Sequence, residues 1–259
     1  MTTQISKWQC KISPTLGGGF AGTPNQVWGT TDYKDLETPT VFFGMYGLRD
    51  FQALWNHKGR ASILWAGSDI KYLLGNYWLE KEGKQRLKVR FPNHVMHYTE
   101  NSLEQIALDS VGIEAVVIPS FLGNVEDFKP QYINPRPRYY SSVSGDDFET
   151  YGWEDINKLA ELNPHFEYYL YGNTVPWGGP SNVIVRGRMS QEKMNEEIKD
   201  MTGAIRATRF DGFSEILAKS VLWGQKPISI FIDYPFLRAE NTREELLKIL
   251  NKYEWNKNI

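Results

Sequence analysis

The chain has 259 residues, which suits two lean domains of roughly 100 to 130 residues each, with one larger α/β domain as the competing arrangement. A net charge of −2 gives no basis for a protein held mainly by nucleic-acid phosphates, which normally has a strongly basic face, so nucleic acid is not the default partner. With one cysteine, Cys10, and no apolar run of about 18 residues, the sequence excludes an internal disulfide and an integral membrane segment, and it fits a cytoplasmic protein.

The first half of the sequence alternates short apolar runs with segments of helical spacing. Strands are predicted at residues 40–46, 61–66, 94–99 and 113–119. One helix is predicted at 49–57, and another begins at Asn101 or Ser102, where Gln105 follows Ser102 at the spacing of a capping box. Strands that alternate with helices predict a parallel sheet covered on both faces.

A composition break separates this half from the next, because residues 124–138 hold three prolines and almost no periodicity. The predicted organisation is a first domain at 1–125, a linker at 126–138, a second domain at 139–240, and a C-terminal helix in 241–259 that is a candidate to pack back on the first domain. The strands predicted after the break lie at 139–143, 166–171, 182–186, 204–207 and 227–232. The predicted helices lie at 153–162, 190–199, 214–223 and 242–253, with Ser190 as one N-cap.

Two titratable residues of the first half are candidates for chemistry. We place Asp69 and His97 after successive strands, on the side where ligands bind in open α/β sheets. There, either residue contacts an acceptor substrate or assists proton transfer. The competing interpretation of His97 is a histidine that merely packs or forms a hydrogen bond.

The most informative stretch is residues 205–229, IRATRFDGFSEILAKSVLWGQKPIS. A strand brings Arg206 and Arg209 to its carboxyl end, and Asp-Gly-Phe-Ser at 211–214 opens the next helix. The free amides and positive dipole of a helix start bind anions, and an arginine fork matches phosphate geometry. The competing interpretation is an ordinary N-cap beside two surface arginines.

This stretch resembles the donor-site segment of GT-B glycosyltransferases, in particular glycosyltransferase group 1, the glycogen synthase-like retaining family. The residues that match its motif are Asp211, Gly212, Phe213, Ser214 and Gly224, with Pro227 one place later than usual. The resemblance implies an α/β fold of two Rossmann-like domains that face each other across a cleft. It also implies a nucleotide-sugar donor whose developing phosphate charge is stabilised by Arg206 and Arg209.

Further donor-side residues follow from the same resemblance. Ser144 and Gly145 lie in the loop after the first strand of a donor domain, Gly172 ends the next strand, and Arg186 belongs to the strand whose following loop frames the nucleotide base. The stretch TLGGGFAG at 15–22 resembles the glycine loop that follows the first strand of many GT-B enzymes, with a flexible surface turn as its alternative.

One position departs from the family. The second acidic residue of the motif, which commonly grips the ribose hydroxyls, is Lys219 in this sequence. A lysine accepts no hydrogen bond, so Lys219 either offers charge to a diphosphate or leaves the ribose to Glu215 one turn earlier. A third possibility is that the site has lost activity.

The resemblance implies a hexosyltransferase that moves sugar from a UDP- or GDP-sugar to an acceptor hydroxyl with retention, and that needs no obligatory metal or other cofactor. The acceptor is open: a saccharide, a lipid-linked sugar or a modified nucleic-acid base. The alternatives are a non-catalytic nucleotide or sugar binding protein on the same scaffold, and a sugar epimerase of GT-B fold.

Overall fold

The computed structural model describes residues 8–16, 23–74, 91–92, 94–232 and 234–252. The chain divides into two compact units, residues 1–123 with 250–259 and residues 124–249. Gly17 to Gly22, most of the predicted glycine loop, lie outside the described residues, as does Tyr253, the last residue of the predicted C-terminal helix.

Unit 1 is built on a six-stranded sheet in which all described strand pairs are parallel, in the order β2-β1-β3-β4-β5-β6. Its strands are β1 (Gln9–Ile12), β2 (Thr31–Asp32), β3 (Thr40–Phe43), β4 (Ala61–Leu64), β5 (Val95–Thr99) and β6 (Val116–Val117). Its helices are α1 (Thr23–Val27), α2 (Leu48–Asn56), α3 (Ser68–Leu74) and α4 (Ser102–Asp109). β3 and β4 are buried along their whole length, as central parallel strands must be.

The sequence-based elements of unit 1 need several corrections, and α1, β2 and α3 were not predicted. β1 was not predicted because Gln9 and Lys11 interrupt its apolar pattern; their polar ends are satisfied by hydrogen bonds to Asp35 and Asp50. The predicted strand 113–119 is only two residues long. His97 lies inside β5 and does not follow it.

The start of α4 also differs in detail from the predicted capping box. Asn101 is the N-cap, and its side chain accepts a hydrogen bond from the Glu104 amide at 3.0 Å. Gln105 donates instead to the carbonyl oxygen of Ala115 at 2.7 Å. The capping box at Ser102 is therefore wrong, whereas the Asn101 cap is confirmed.

Unit 2 is built on a five-stranded parallel sheet in the order β11-β10-β7-β8-β9. Its strands are β7 (Arg138–Ser142), β8 (Glu167–Tyr171), β9 (Val183–Gly187), β10 (Gly203–Arg206) and β11 (Ile228–Ser229). The helices are α5 (Trp153–Leu162), α6 (Gln191–Ile198), α7 (Glu215–Leu222) and α8 (Thr242–Lys252), with 3₁₀ turns at Val125–Asp127 and Pro235–Arg238.

The core of unit 2 forms where α5 packs on the sheet. Trp153, Ile156 and Ala160 of α5 are fully or almost fully buried against Leu170 and Ile205 from β8 and β10. Burial of side chains of this size is the main favourable term in folding. This packed core therefore fixes the positions of the carboxyl ends of β7, β8 and β10.

Candidate functional site

The candidate site lies on unit 2, where β10 ends and the chain turns into α7. Two hydrogen bonds between Thr208 and Phe210 tighten the turn: Thr208 Oγ1 donates to the Phe210 carbonyl at 2.8 Å, and the Phe210 amide donates back at 3.3 Å. Tyr234 OH donates to the Gly212 carbonyl at 3.1 Å, and the Phe213 ring packs on Phe236. The loop that precedes α7 is thus fixed by side chains of its own unit.

Arg206 and Asp211 form a two-pronged ion pair inside this loop. Arg206 Nε lies 2.6 Å from Asp211 Oδ2, and NH2 lies 3.0 Å from Oδ1. The guanidinium also donates to the Ser142 carbonyl at 3.4 Å and lies 4.5 Å from the centre of the Tyr151 ring. Burial lowers the pKa of Arg206, but the Asp211 carboxylate outweighs it and the net pKa is raised. The pair closes the loop and ties β10 to the end of β7.

Arg209 has a different environment. Its side chain is exposed, and its guanidinium lies 4.2 Å from the centre of the Phe231 ring. No acidic residue within the described ranges forms an ion pair with it. Arg209 is therefore the arginine of this edge whose hydrogen-bond donors are open to an anion from solution.

The helix that follows, α7, begins at Glu215, and Ser214 is its N-cap residue. Ser214 is 3% exposed, and its side chain makes no capping hydrogen bond. The hydroxyl oxygen is buried and has no hydrogen-bond partner in the described chain. A serine N-cap usually accepts an amide of the first turn, so the donors at this helix start are not capped by their own serine.

Lys219 lies one turn into α7 and is almost completely buried, with 4% exposed. Its ammonium nitrogen is 3.9 Å from Glu215 Oε2 and 5.9 Å from the centre of the Phe128 ring. Burial lowers the pKa of Lys219, and the Glu215 charge opposes that shift. The lysine thus neutralises a carboxylate in the first turn of α7.

The loops after β7 and β8 are shaped by residues with positive φ. Gly145 has φ 62° and Gly172 has φ 86°, and a Cβ on Gly172 would lie 2.2 Å from the Val143 carbonyl oxygen. Asp146 joins the two loops by accepting hydrogen bonds from the amide and hydroxyl of Thr174, which lower the pKa of its carboxyl. Ser144 and Gly145 are exposed beside this junction.

Arg186 is occupied elsewhere. On β9, its guanidinium binds both carboxylate oxygens of Glu197 on α6, at 2.9 and 2.5 Å, and Tyr171 OH donates to the same carboxylate at 3.0 Å. The sequence-predicted donor residues therefore fall into three groups. One group lies in the β10–α7 loop and in α7, a second (Ser144, Gly145 and Gly172) lies in the loops after β7 and β8, and Arg186 belongs to a separate ion pair.

In unit 1, Asp69 fastens two strand ends. Its carboxylate is fully buried and accepts hydrogen bonds from the amides of Met45 after β3, at 2.9 Å, and of Ala66 after β4, at 3.0 Å. A third amide, that of Ile70, donates at 2.9 Å. Burial raises the pKa of the Asp69 carboxyl to about 7, against the lowering effect of these amides.

This pKa predicts a pH dependence of stability. Between the ordinary value of 3.8 and about 7, folded Asp69 keeps a proton that the unfolded chain has released, so its contribution to stability is lost as the pH rises through that window. We expect the free energy of unfolding to fall less steeply with pH in Asp69→Asn than in the wild type. Urea unfolding at a series of pH values measures the two slopes, and identical slopes would contradict the assignment.

The buried His97 changes the free energy of unfolding with pH in the opposite direction. The comparison therefore uses Asp69→Asn, in which His97 is unchanged. Its Nδ1 accepts a hydrogen bond from Trp65 Nε1 at 3.3 Å, and the ring is stacked on Trp65 and meets Phe91 edge-on. Burial lowers the pKa of His97 to about 4, so the imidazole is neutral at pH 7. A catalytic role for Asp69 or His97 stays a prediction.

Sequence reasoning missed two aromatic residues at the site. Tyr151 lies against Arg206, and Phe231 lies against Arg209. Both come from segments distant in sequence from the arginines, and no motif marks them. Only the pairing of β10 with β11 and β7 brings them there.

Comparison with known proteins identifies the fold. No family model matches the sequence, and no curated protein matches it significantly. Solved structures do match. Sucrose-phosphate synthase from Thermosynechococcus elongatus has a TM-score of 0.58 at 10% identity, over 85% of this chain and 71% of that one. TarM has a TM-score of 0.53 at 12% identity, over 85% of this chain and 48% of TarM, so the chain spans about half of that protein.

T4 phage BGT, solved with its UDP-glucose substrate, matches over 97% of this chain and 90% of its own, with a TM-score of 0.54 at 12% identity. These structures are GT-B proteins, and the two parallel sheets with alternating helices agree with theirs. The chain has the two-domain α/β GT-B fold, which confirms the predicted fold class. In the described part of the chain, no helix is long and apolar enough to cross a membrane.

Proposed function

We propose that the protein is a glycosyltransferase whose nucleotide-sugar donor binds at the carboxyl edge of the unit 2 sheet. The observation that carries the proposal is the β10–α7 loop: it presents an open arginine, Arg209, beside a helix start whose serine cap is unbonded. Helix starts and arginine forks both favour phosphate oxygens. A diphosphate fits this combination in charge and in hydrogen-bond demand.

The two arginines take different parts in this proposal. Arg206 is committed to Asp211 and holds the loop in shape. Arg209 faces solvent and offers its charge to the diphosphate, where negative charge grows as the bond to the sugar breaks. The predicted equal roles of Arg206 and Arg209 are thus refined into one positioning and one contacting arginine.

The ribose contact is assigned by the same proposal to the first turn of α7. Lys219 stands where the resembled family has an acidic residue, and it supports Glu215 from the buried side. A carboxylate accepts ribose hydroxyls, whereas an ammonium group does not. Glu215 therefore takes this contact, and Ser144, Gly145 and Gly172 shape the loops beside it.

The neighbouring structures support the donor class. T4 phage BGT was solved with UDP-glucose, and a mutant of S. aureus TarM was solved with UDP. We therefore put UDP-sugars before GDP-sugars as donors. The assignment to the group 1 retaining family rests on the sequence motif alone, and the anomeric form of the product tests it.

The acceptor is proposed only as a hydroxyl compound. One neighbouring structure is described as a DNA modifying enzyme, and another was solved with a GlcNAc-glycerol. An assay should therefore pair UDP-glucose and UDP-GlcNAc with DNA that carries base hydroxyls, with glycerol-linked sugars and with simple saccharides. Donor turnover without any acceptor measures hydrolysis, and binding without turnover on any acceptor would favour the non-catalytic alternative.

Replacing Arg209 by Ala is expected to weaken UDP binding about 10- to 100-fold, because hydrogen bonds to charged groups contribute about 1.5–3 kcal/mol. Isothermal calorimetry with UDP and GDP measures the loss. Arg49→Ala, which removes an exposed arginine of unit 1, is the control and should bind like the wild type. If neither nucleotide binds the wild-type protein, the proposed donor site is wrong.

A further inference from the structure

We infer that Phe231 is a positioning residue for nucleotide binding: its ring holds the Arg209 guanidinium in the orientation that meets the donor diphosphate. The inference rests on the proposed function and adds a residue to that site. It starts from the 4.2 Å distance between the Arg209 guanidinium carbon and the centre of the Phe231 ring.

Core packing does not explain Phe231. Its side chain is 38% exposed, whereas the next residue, Ile232, is 5% exposed and anchors the segment in the core. Phe231 therefore leaves more than a third of its surface open to solvent at the carboxyl edge of the sheet. The Arg209 guanidinium lies above this ring.

The backbone places the ring firmly. The Ile230 amide donates to the Arg206 carbonyl at 2.9 Å, which continues the pairing of β10 with β11 beyond the end of β11. The Ser229 hydroxyl donates to the carbonyl of Ile232 and closes the turn around Phe231. The ring is therefore held beside the β10–α7 loop before any ligand arrives.

The ring leaves the arginine able to bind an anion. A guanidinium is planar, and its five N–H donors point outward in that plane. The Phe231 ring restricts the swing of the long side chain but has no acceptor oxygen, so it pairs none of the N–H donors with an oxygen. Arg206, in contrast, donates hydrogen bonds to the Asp211 carboxylate and to the Ser142 carbonyl. Phe231 thus keeps the open arginine ready for phosphate oxygens.

The test compares Phe231→Leu with Phe231→Tyr and Phe231→Trp in calorimetric titrations with UDP, inorganic pyrophosphate and uridine. Exposed cation–π pairs predict that Phe231→Leu weakens UDP and pyrophosphate about two- to fivefold. Uridine, which has no phosphate, should bind each variant equally. Phe231→Tyr should restore binding, and Phe231→Trp should match or exceed the wild type because indole is the strongest of these rings.

A structural role would give a different pattern. In an Arg209→Ala background, Phe231→Leu should cause no further loss of UDP affinity. An equal loss in both backgrounds, or an equal loss for uridine, would overturn the inference. If Phe231→Leu does not fold, the tyrosine and tryptophan variants decide, because binding weaker than wild type in both contradicts stacking. If Arg209→Ala weakens UDP binding and Phe231→Leu does not, the inference about Phe231 is wrong and the proposed function stands. If the wild-type protein binds neither UDP nor pyrophosphate, the proposed function is wrong as well.

Discussion

Replacing Asp211 by Asn is expected to lower the free energy of unfolding by about 3 kcal/mol, the lower end of the cost of breaking a buried ion pair. Arg206 is 9% exposed and keeps its charge at every accessible pH, so the guanidinium would stay buried opposite a neutral amide. The amide oxygen of Asn accepts one hydrogen bond from the guanidinium but not the pair that both carboxylate oxygens accept at 2.6 and 3.0 Å.

Urea unfolding, followed by circular dichroism and tryptophan fluorescence together, measures this change. Arg209→Ala is the control, because it removes an exposed arginine of the same loop that forms no ion pair within the described residues, and it should cost less than about 0.5 kcal/mol. Similar losses in Asp211→Asn and Arg209→Ala would contradict the different roles given to the two arginines.

A double variant separates a buried charge from a lost contact. In Arg206→Met with Asp211→Leu, both charges are gone and the volume is roughly kept, so most of the lost stability should return. If the double variant is as unstable as Asp211→Asn, the loop depends on the specific hydrogen bonds of the pair, including the one to the Ser142 carbonyl. Donor binding should fall in either case, because the loop then no longer fixes the start of α7.

The elements of the fold with strong local signals were predictable from the sequence. α5 runs over Trp153–Leu162 as predicted, because its apolar residues recur at helical spacing. Ser190 caps α6 and accepts the Lys193 amide at 3.3 Å, which confirms the predicted N-cap. Helical spacing and capping depend only on residues that are close in sequence, so they can be predicted without knowledge of distant contacts.

The site residues were harder to predict, because their environments depend on tertiary pairing. The sequence predicts that Arg206 and Arg209 lie together at a strand end. It does not predict that Asp211 forms an ion pair with Arg206. Likewise, Asp69 follows a strand as predicted, yet full burial turns it toward three backbone amides. A polar residue near a strand end has the same sequence signature whether it faces a ligand or fastens a loop.

Phe231 shows the same limit, because an aromatic residue near an edge strand is a common pattern with no functional signal. Lys219 was identified from the family motif, but its burial against the Phe128 ring was not predicted. Their partners Arg209 and Phe128 come from other segments of unit 2. The contact between Arg209 and Phe231 exists because the parallel sheet brings the ends of β10 and β11 to one edge.

The second large effect is expected at Gly152, the N-cap of α5, which has φ 68° and ψ 31°. An alanine Cβ there would lie 2.1 Å from the Ala207 carbonyl oxygen and 2.7 Å from the Ala207 Cβ. Left-handed backbone costs a non-glycine residue about 1–2 kcal/mol, and overpacking adds about 1–3 kcal/mol, so Gly152→Ala should lose about 2–5 kcal/mol.

Ala207 directly follows β10 and begins the loop that carries Arg209, so the clash acts on the candidate site as well as on α5. Gly187→Ala is the matched control within unit 2: φ is 72°, but the added Cβ meets only the Asn173 carbonyl oxygen at an ordinary 3.7 Å. It should lose only the backbone cost of about 1–2 kcal/mol. Chemical unfolding of both variants, with UDP titration of each, separates strain from clash. Equal free energies of unfolding in the two variants would mean that the close approach of Gly152 to Ala207 does not determine this turn. A larger loss of stability in Gly152→Ala, together with weakened UDP binding, would show that the start of α5 determines the shape of the donor loop.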